Sequence, residues 1–446
     1  MIILDVIKKL FILLSVFCLI CSVSAVSAAD VCDDLNGHAE IQYPDSIDGH
    51  VENDYDMVSV CGDSAVSNQT DQTSLENSQS SDEAGNFTDL NEQISKITTG
   101  GVLKLQKDYK FNSADSNFKN GIMITKDNII IDGNGHTIDG SGLARIFNIL
   151  SKNVTLKNIK FINGYSNENG GAIYSKNSLN ILGSVFDNNT AEKFGGAVYI
   201  ENSISNCKID STFLNNKAYN GGAICFGSST TNVTINGCFK GNTAERAGGA
   251  IYFEGKSANN TIASEFYNNR AEKASGGAIF FHNLADNNQF ESIFRGNYGV
   301  YGGAIFFYTQ ANNNRFNCDF RFNVAKSCGG ALFFYNTTNN NYFTGCFINN
   351  SALGQVDETN GNGGAITFKD VSTNCIFVCD FINNTAAKNG GAVNYRQAAS
   401  NITFYCNFIN NKAKFGDGIN FFESFENIEF NAIFDGNPVV CWCNSY

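Results

Sequence analysis

Few residues of this chain are of a type that could do chemistry. It holds four histidines, His38, His50, His136 and His282. Cleaving a glycosidic bond takes paired carboxylates, or carboxylates with Arg or Lys, converging from neighbouring segments. Asp132 and Asp139 share the Gly-rich run from Asn128 to Gly140 and read as turn-capping residues. Asp187, Asp319, Asp380 and Asp435 are scattered and make no compact group. No Gly-x-Ser-x-Gly, phosphate loop or metal signature occurs. Cys441-Trp-Cys443 has the look of a metal or redox pair, but Cys-x-Cys alone is weak, and a C-terminal fold-back is the better reading. No catalytic residue, metal or cofactor is expected.

Recognition chemistry has better candidates. Tyr174, Tyr199, Tyr252, Phe280, Phe306 and Phe333 occupy equivalent places in successive segments, with Cys225 between Tyr199 and Tyr252. Thr367, Asn394 and Asn420 continue the series. An aromatic stripe facing water is costly unless it is covered or used. Aromatic faces stack on sugar rings and dominate protein hot spots. These six residues are the expected ligand-binding positions. The alternative is that the rings stack on one another and stabilise neighbouring segments.

The equivalence of those places comes from a repeat. Gly-Gly-Ala begins at Gly170, Gly195, Gly221, Gly248, Gly276, Gly302, Gly329, Gly363 and Gly390, with a degenerate Gly-Asp-Gly at Gly416. The spacings are 25, 26, 27, 28, 26, 27, 34, 27 and 26 residues. Phe-x-x-Asn runs in phase with it at Phe186, Phe213, Phe239, Phe266, Phe294, Phe320, Phe347, Phe381, Phe408 and Phe434. Such periodicity predicts a solenoid. From the first Gly to the next Phe is 18 residues in nine of ten copies, so length is held there as stacked strands require. The longest spacing holds the insertion Leu353–Asn362, which should loop outward.

Alignment on the Phe gives the register. Four residues before it stand Leu182, Ile209, Ile235, Ile262, Phe290, Phe316, Phe343, Phe377, Phe404 and Phe430. Two before it every residue is small, Cys318, Cys379 and Cys406 among them. This is period two, a strand with one face buried. Cys238 and Cys346 fall on the other face, and Cys379 and Cys406, one coil apart, have a spacing that permits a bridge. Asn stands seven before the Phe in nine copies and closes Phe-x-x-Asn in all ten. Amides stacked one per coil form ladders, since each both donates and accepts. Pro44 and Pro438, the only prolines, lie outside the coils.

The flanks differ in kind. Residues 1–29 read as a signal peptide: Lys8 and Lys9, an apolar run, then Ser27-Ala28-Ala29. An uncleaved anchor is the alternative. Residues 30–92 hold 16 Asp or Glu and no Lys or Arg, whereas the chain from Gln93 holds 28 basic and 26 acidic residues. The net charge of −13 therefore belongs to this stretch, and 30–86 reads as an acidic disordered spacer. Asp89-Leu-Asn-Glu92 resembles a capping box, with Leu90, Ile94 and Ile97 on one helical face. Residues 87–111 are assigned to an N-terminal cap, 112–437 to the repeats and 438–446 to a tail.

Gly-Gly-Ala-Ile paired with Phe-x-x-Asn at this spacing resembles the polymorphic outer-membrane protein repeat of chlamydiae, and the adhesin-like surface proteins of methanogenic archaea that carry it. The resemblance spans residues 161–437 and implies an all-β fold, a right-handed parallel β-helix of about 11–13 coils, related to the pectin-lyase type. It also implies an exported, non-catalytic adhesin at the cell surface, binding surface glycans or proteins of other cells, or cell-wall components. Chlamydial members end in a membrane barrel, for which the nine residues after Asn437 leave no room. No nucleic-acid partner and no transmembrane domain after signal removal are expected, and the chain is expected to be monomeric. The alternative function is a polysaccharide-processing lyase or hydrolase on the same fold.

Overall fold

The structure, a computed structural model, describes residues 84–356 and 360–437 and the backbone of 441–442. The chain divides into units Met1–Asn68 and Gln69–Tyr446, and all described residues lie in the second. The signal segment, most of the acidic spacer and most of the tail fall outside them.

The described chain winds as a parallel β-helix. A thirteen-stranded sheet takes one short strand per coil, from Asn120–Ile124 through Ile224–Phe226 to Cys441–Trp442. A second, 26-stranded sheet takes the longer segments, such as Lys208–Leu214, and a nine-stranded sheet the residues after Phe-x-x-Asn. Equivalent residues sit over one another: Phe213 pairs with Phe239 and Phe343 with Phe377.

The corners explain the conserved markers of the repeat. Gly221 takes φ +64°, and a side chain on Gly222 would collide with the carbonyl oxygen of Gly249 in the next coil. The first glycine thus supplies a left-handed turn and the second a backbone-to-backbone approach. The third residue of Phe-x-x-Asn is also left-handed: Asn188, Asn215, Asn268, Asn349, Asn383 and Asn410 all have φ between 52° and 55°. The fourth is a buried amide. Asn216 donates from Nδ2 to Asn242 Oδ1 at 2.9 Å and to the Phe186 carbonyl at 3.0 Å. The same pattern repeats from Asn189 to Asn437, as the ladder reading expected. A shorter interior ladder, Asn260–Asn288–Asn314–Asn341, lies outside any reading of the sequence.

Three aromatic columns fill the core. The Phe-x-x-Asn rings from Phe186 to Phe434, headed by Phe161, stack at 4.7–5.0 Å. Phe226, Phe253, Phe281, Phe307, Phe334, Phe368, Tyr395 and Phe421 form a second column. Phe290, Phe316, Phe343, Phe377, Phe404 and Phe430 form the third, and it meets the second edge-on at 81–89°. Offset stacking along the axis with edge-to-face contact across it suits the ring quadrupoles.

Two local expectations are corrected. Leu182 is only half-buried; Ile181 takes the inward place because a bulge at Gly183, φ +57°, shifts the register by one. Helix α1, Phe87–Lys96, is capped by Asn86 and Asp89, not by Asp89 and Glu92. Its Phe87, Leu90 and Ile94 are buried, and the buried carboxylate of Asp115 accepts from the Phe87 and Thr88 amides. In the last coil Phe430 and Phe434 are only partly buried.

Candidate functional site: the outer side of the short sheet

Along each short strand the residues before and after the outward one face the core: Ile305 and Phe307 are buried there, and Phe306 points away. The outward rings stack in register, Tyr252 on Phe280 at 5.2 Å, Phe280 on Phe306 at 5.0 Å and Phe306 on Phe333 at 5.3 Å. They are not open to water. Tyr252, Phe280, Phe306 and Phe333 are at most 8 % exposed and form a second hydrophobic cluster with Cys225, Ala247 and Cys328. The residue before four of the six Gly pairs here joins the cluster over them: Phe194, Ala247, Tyr301 and Cys328. The Tyr301 ring lies 5.3 Å from Phe333. The expectation of a water-facing stripe is corrected here, because a corner residue on the neighbouring face roofs it.

Tyr174 and Tyr199 form the open end. Both are half-buried and stack at 5.8 Å. Burial, and then the Glu201 carboxylate beside it, push the Tyr174 hydroxyl well above its ordinary pKa; burial pushes Tyr199 up to about 12. Beyond Phe333 the stripe turns polar but stays buried. Thr367 Oγ1 donates to the Asn362 carbonyl at 2.6 Å, and Asn420 Nδ2 to Asn394 Oδ1 at 2.9 Å. Its cover turns polar with it, Asn389 Nδ2 donating to Asn362 Oδ1 at 2.7 Å.

A partly exposed column stands two residues further on, just past the end of each strand. His282 stacks on Tyr308 at 5.4 Å, Tyr308 lies 5.2 Å from Tyr335, and Lys369 Nζ sits 3.4 Å from the Tyr335 ring centroid. Tyr308 is 42 % and Tyr335 38 % exposed. Reading the sequence for aromatics next to the buried Ile missed this column. Its signal was the run His282, Tyr308, Tyr335, Lys369 at one fixed offset from successive Gly pairs.

The carboxylates are occupied with structure. Asp132 accepts from the Asn134 amide at 3.0 Å and pairs with Lys157 at 3.1 Å. Burial alone would raise its pKa, but these partners, with the Asn158 amide, hold it below the usual range. Asp139 accepts from the Ser141 amide at 2.7 Å and from Asn163 at 3.1 Å. Asp380 accepts from Asn407 in the next coil. Among the described residues no three His, Cys, Asp or Glu side chains gather as a metal site. Cys318, Cys379 and Cys406 are buried free thiols in the core, and Cys379 and Cys406 stack one coil apart. Cys238 is disulfide-bonded, and Cys346 donates to Asp319 at 3.2 Å. No helix among the described residues is long and apolar enough to cross a membrane.

Residues 183–201, 210–227, 236–254 and 378–394 match the Chlamydia polymorphic membrane protein (Chlamydia_PMP) repeat, so the resemblance read from Gly-Gly-Ala and Phe-x-x-Asn holds at these copies. No curated protein matches the chain. A solved structure described as "a new PL6 alginate lyase complex with trisaccharide" aligns over 81 % of this chain and 87 % of its own, at 12 % identity and a TM-score of 0.38.

Proposed function

We propose that this chain is an exported, adhesin-like surface β-helix protein that binds glycan or protein ligands and does not act on them chemically. The observation that carries this reading is the partly exposed column His282–Tyr308–Tyr335–Lys369. Rings with polar tips standing in water beside a cation are the groups that anchor recognition surfaces. Tyr174 and Tyr199 extend the face at its open end, while Tyr252, Phe280, Phe306 and Phe333 hold the column from beneath. The repeat at four copies supports a surface location, and the signal-like segment 1–29 supports export. The engagement of Asp132, Asp139 and Asp380 in turn and ladder bonds supports the absence of catalysis.

The test combines a glycan array and whole-cell binding with an assay for reducing-sugar release. The wild-type chain should bind and release no sugar, and Tyr308→Ser with Tyr335→Ser should bind at least tenfold more weakly. Sugar release from any polysaccharide would sink the non-catalytic reading, and undiminished binding by the double variant would remove the column from it.

A further inference from the structure

The outer side of the short sheet opens, one coil before the first Gly-Gly-Ala strand, on a cleft of about 350 Å³. Arg145, Asn148, Leu150, Glu168, Asn169 and Tyr174 line it. Its volume lies at the lower end for small-molecule clefts, room for one ring rather than a chain.

Arg145 builds the wall. It is 8 % exposed. Nε donates to the Gly170 carbonyl at 2.9 Å and Nη1 to the Asn120 carbonyl at 3.0 Å; Nη2 donates to Ser166 Oγ and the Asn169 carbonyl, both at 2.8 Å. These partners are neutral oxygens, and they fix the 166–170 turn beside the Tyr174 ring, 5.5 Å from the guanidinium carbon. A guanidinium has five N–H groups. Four are used, and one on Nη1 is left to donate.

Two amides complete the site. Asn148 Oδ1 and Asn169 Oδ1 are buried without a hydrogen-bond partner. In the main ladder a buried Asn such as Asn216 or Asn350 meets partners in both adjacent coils, though Asn394 Nδ2 and Asn420 Oδ1 are unpaired. Buried polar atoms are paired as a rule, so two orphans on one cleft ask for a donor from outside.

We propose that the cleft binds one saccharide unit through its hydroxyls. Two hydroxyls donate to Asn148 and Asn169, another oxygen accepts from Arg145 Nη1, and the C–H groups lie against Leu150 and Tyr174. A carboxylate or sulfate only accepts, so it would leave both amide oxygens orphaned. A hydroxyl both donates and accepts and so meets either amide atom. The proposal deepens the surface-binding reading by naming a ligand class.

Saturation-transfer NMR on the full chain tests it, with galactose, mannose, glucose and N-acetylglucosamine as probes and sodium sulfate as competitor. At least one neutral sugar should show transfer to its ring protons. Asn148→Leu and Tyr174→Ala should weaken it at least tenfold, with circular dichroism melts checking that each variant folds; Asn169→Leu serves as the second amide variant. No transfer from any of the four sugars overturns the proposal, as does equal transfer in wild type and both amide variants. Transfer abolished by sulfate would reassign the cleft to anions and also overturn it. Whole-cell adhesion separates the two readings. Adhesion by wild type without sugar transfer removes the cleft and leaves surface binding standing, whereas transfer without adhesion keeps the cleft and removes the adhesin.

Discussion

Asn350 donates from Nδ2 to Asn384 Oδ1 at 3.0 Å, across 34 residues of chain. Its neighbours in the ladder make the same bond across 26 to 28. The coil with the insertion therefore closes on the same bond as the others. Within the insertion the Gln355 amide still donates to the Lys326 carbonyl and the Gly361 amide to the Ser327 carbonyl. Asn350→Ala would strip the Asn323 backbone N–H and Nδ2 of a shared buried acceptor and the Phe320 carbonyl of a donor, while Asn384 Oδ1 keeps the Asn350 backbone N–H. At about 1–3 kcal/mol for a buried group left unsatisfied, a loss of roughly 3 kcal/mol is expected in urea unfolding. A loss below about 1 kcal/mol would mean the ladder follows the fold rather than holding it.

Phe306 and Tyr308 lie two residues apart and should behave oppositely. Phe306 is 3 % exposed between Phe280 and Phe333. Phe306→Ala should cost about 3 kcal/mol as a cavity outside the main core. Tyr308→Ser should cost no more than about 1 kcal/mol, the value of a neighbour contact, and should weaken ligand binding. Thermal melts and cell binding on the same preparations compare the two.

Tyr395 stands in a column of phenylalanines, wholly buried, with its hydroxyl unpaired. Tyr395→Phe removes that oxygen while keeping the ring. It should raise stability by about 1 kcal/mol or more in denaturant unfolding. A loss would show that the hydroxyl has a partner in solution.

Phe322 holds φ +55° at a corner where the other copies place Asn or Gly. A bulky residue in the left-handed region costs about 1–2 kcal/mol. Phe322→Asn should therefore raise the unfolding midpoint, minus the value of the Arg295 contact over the ring at 5.3 Å. A lowered midpoint would rank that contact above the backbone strain.

Alkali should loosen the fold through its tyrosines. Burial, and then nearby acidic groups, push Tyr199 and Tyr267 up to about 12 from an ordinary value near 10. Above pH 10 the unfolded chain loses these protons while the folded chain keeps them, so stability is full below pH 10 and falls as pH rises towards 12. The double variant Tyr199→Phe, Tyr267→Phe should lose less stability between pH 10 and 12. Both groups are about half-buried, so the difference should be modest. Identical pH profiles would mean both hydroxyls titrate normally.

What the sequence by itself determined was the solenoid, its register and its ladders. Each depends on residue type at a fixed offset, repeated in coil after coil: a Gly where φ is positive, an Asn where both lone pairs and N–H groups must be met, a Phe where rings stack. Tertiary structure decided which outward face is open. Period two says that Phe306 points away from the core, but its cover, Tyr301 with Cys328, comes from a different corner of the coil. Whether one face's corner reaches over another's strand depends on the turn angles between faces. The cleft at Arg145 was hidden for a related reason. Its walls come from the irregular coils around the first Gly pair, where no repeat aligns Asn148 with Asn169, and only the wound backbone brings the two side chains to one cleft.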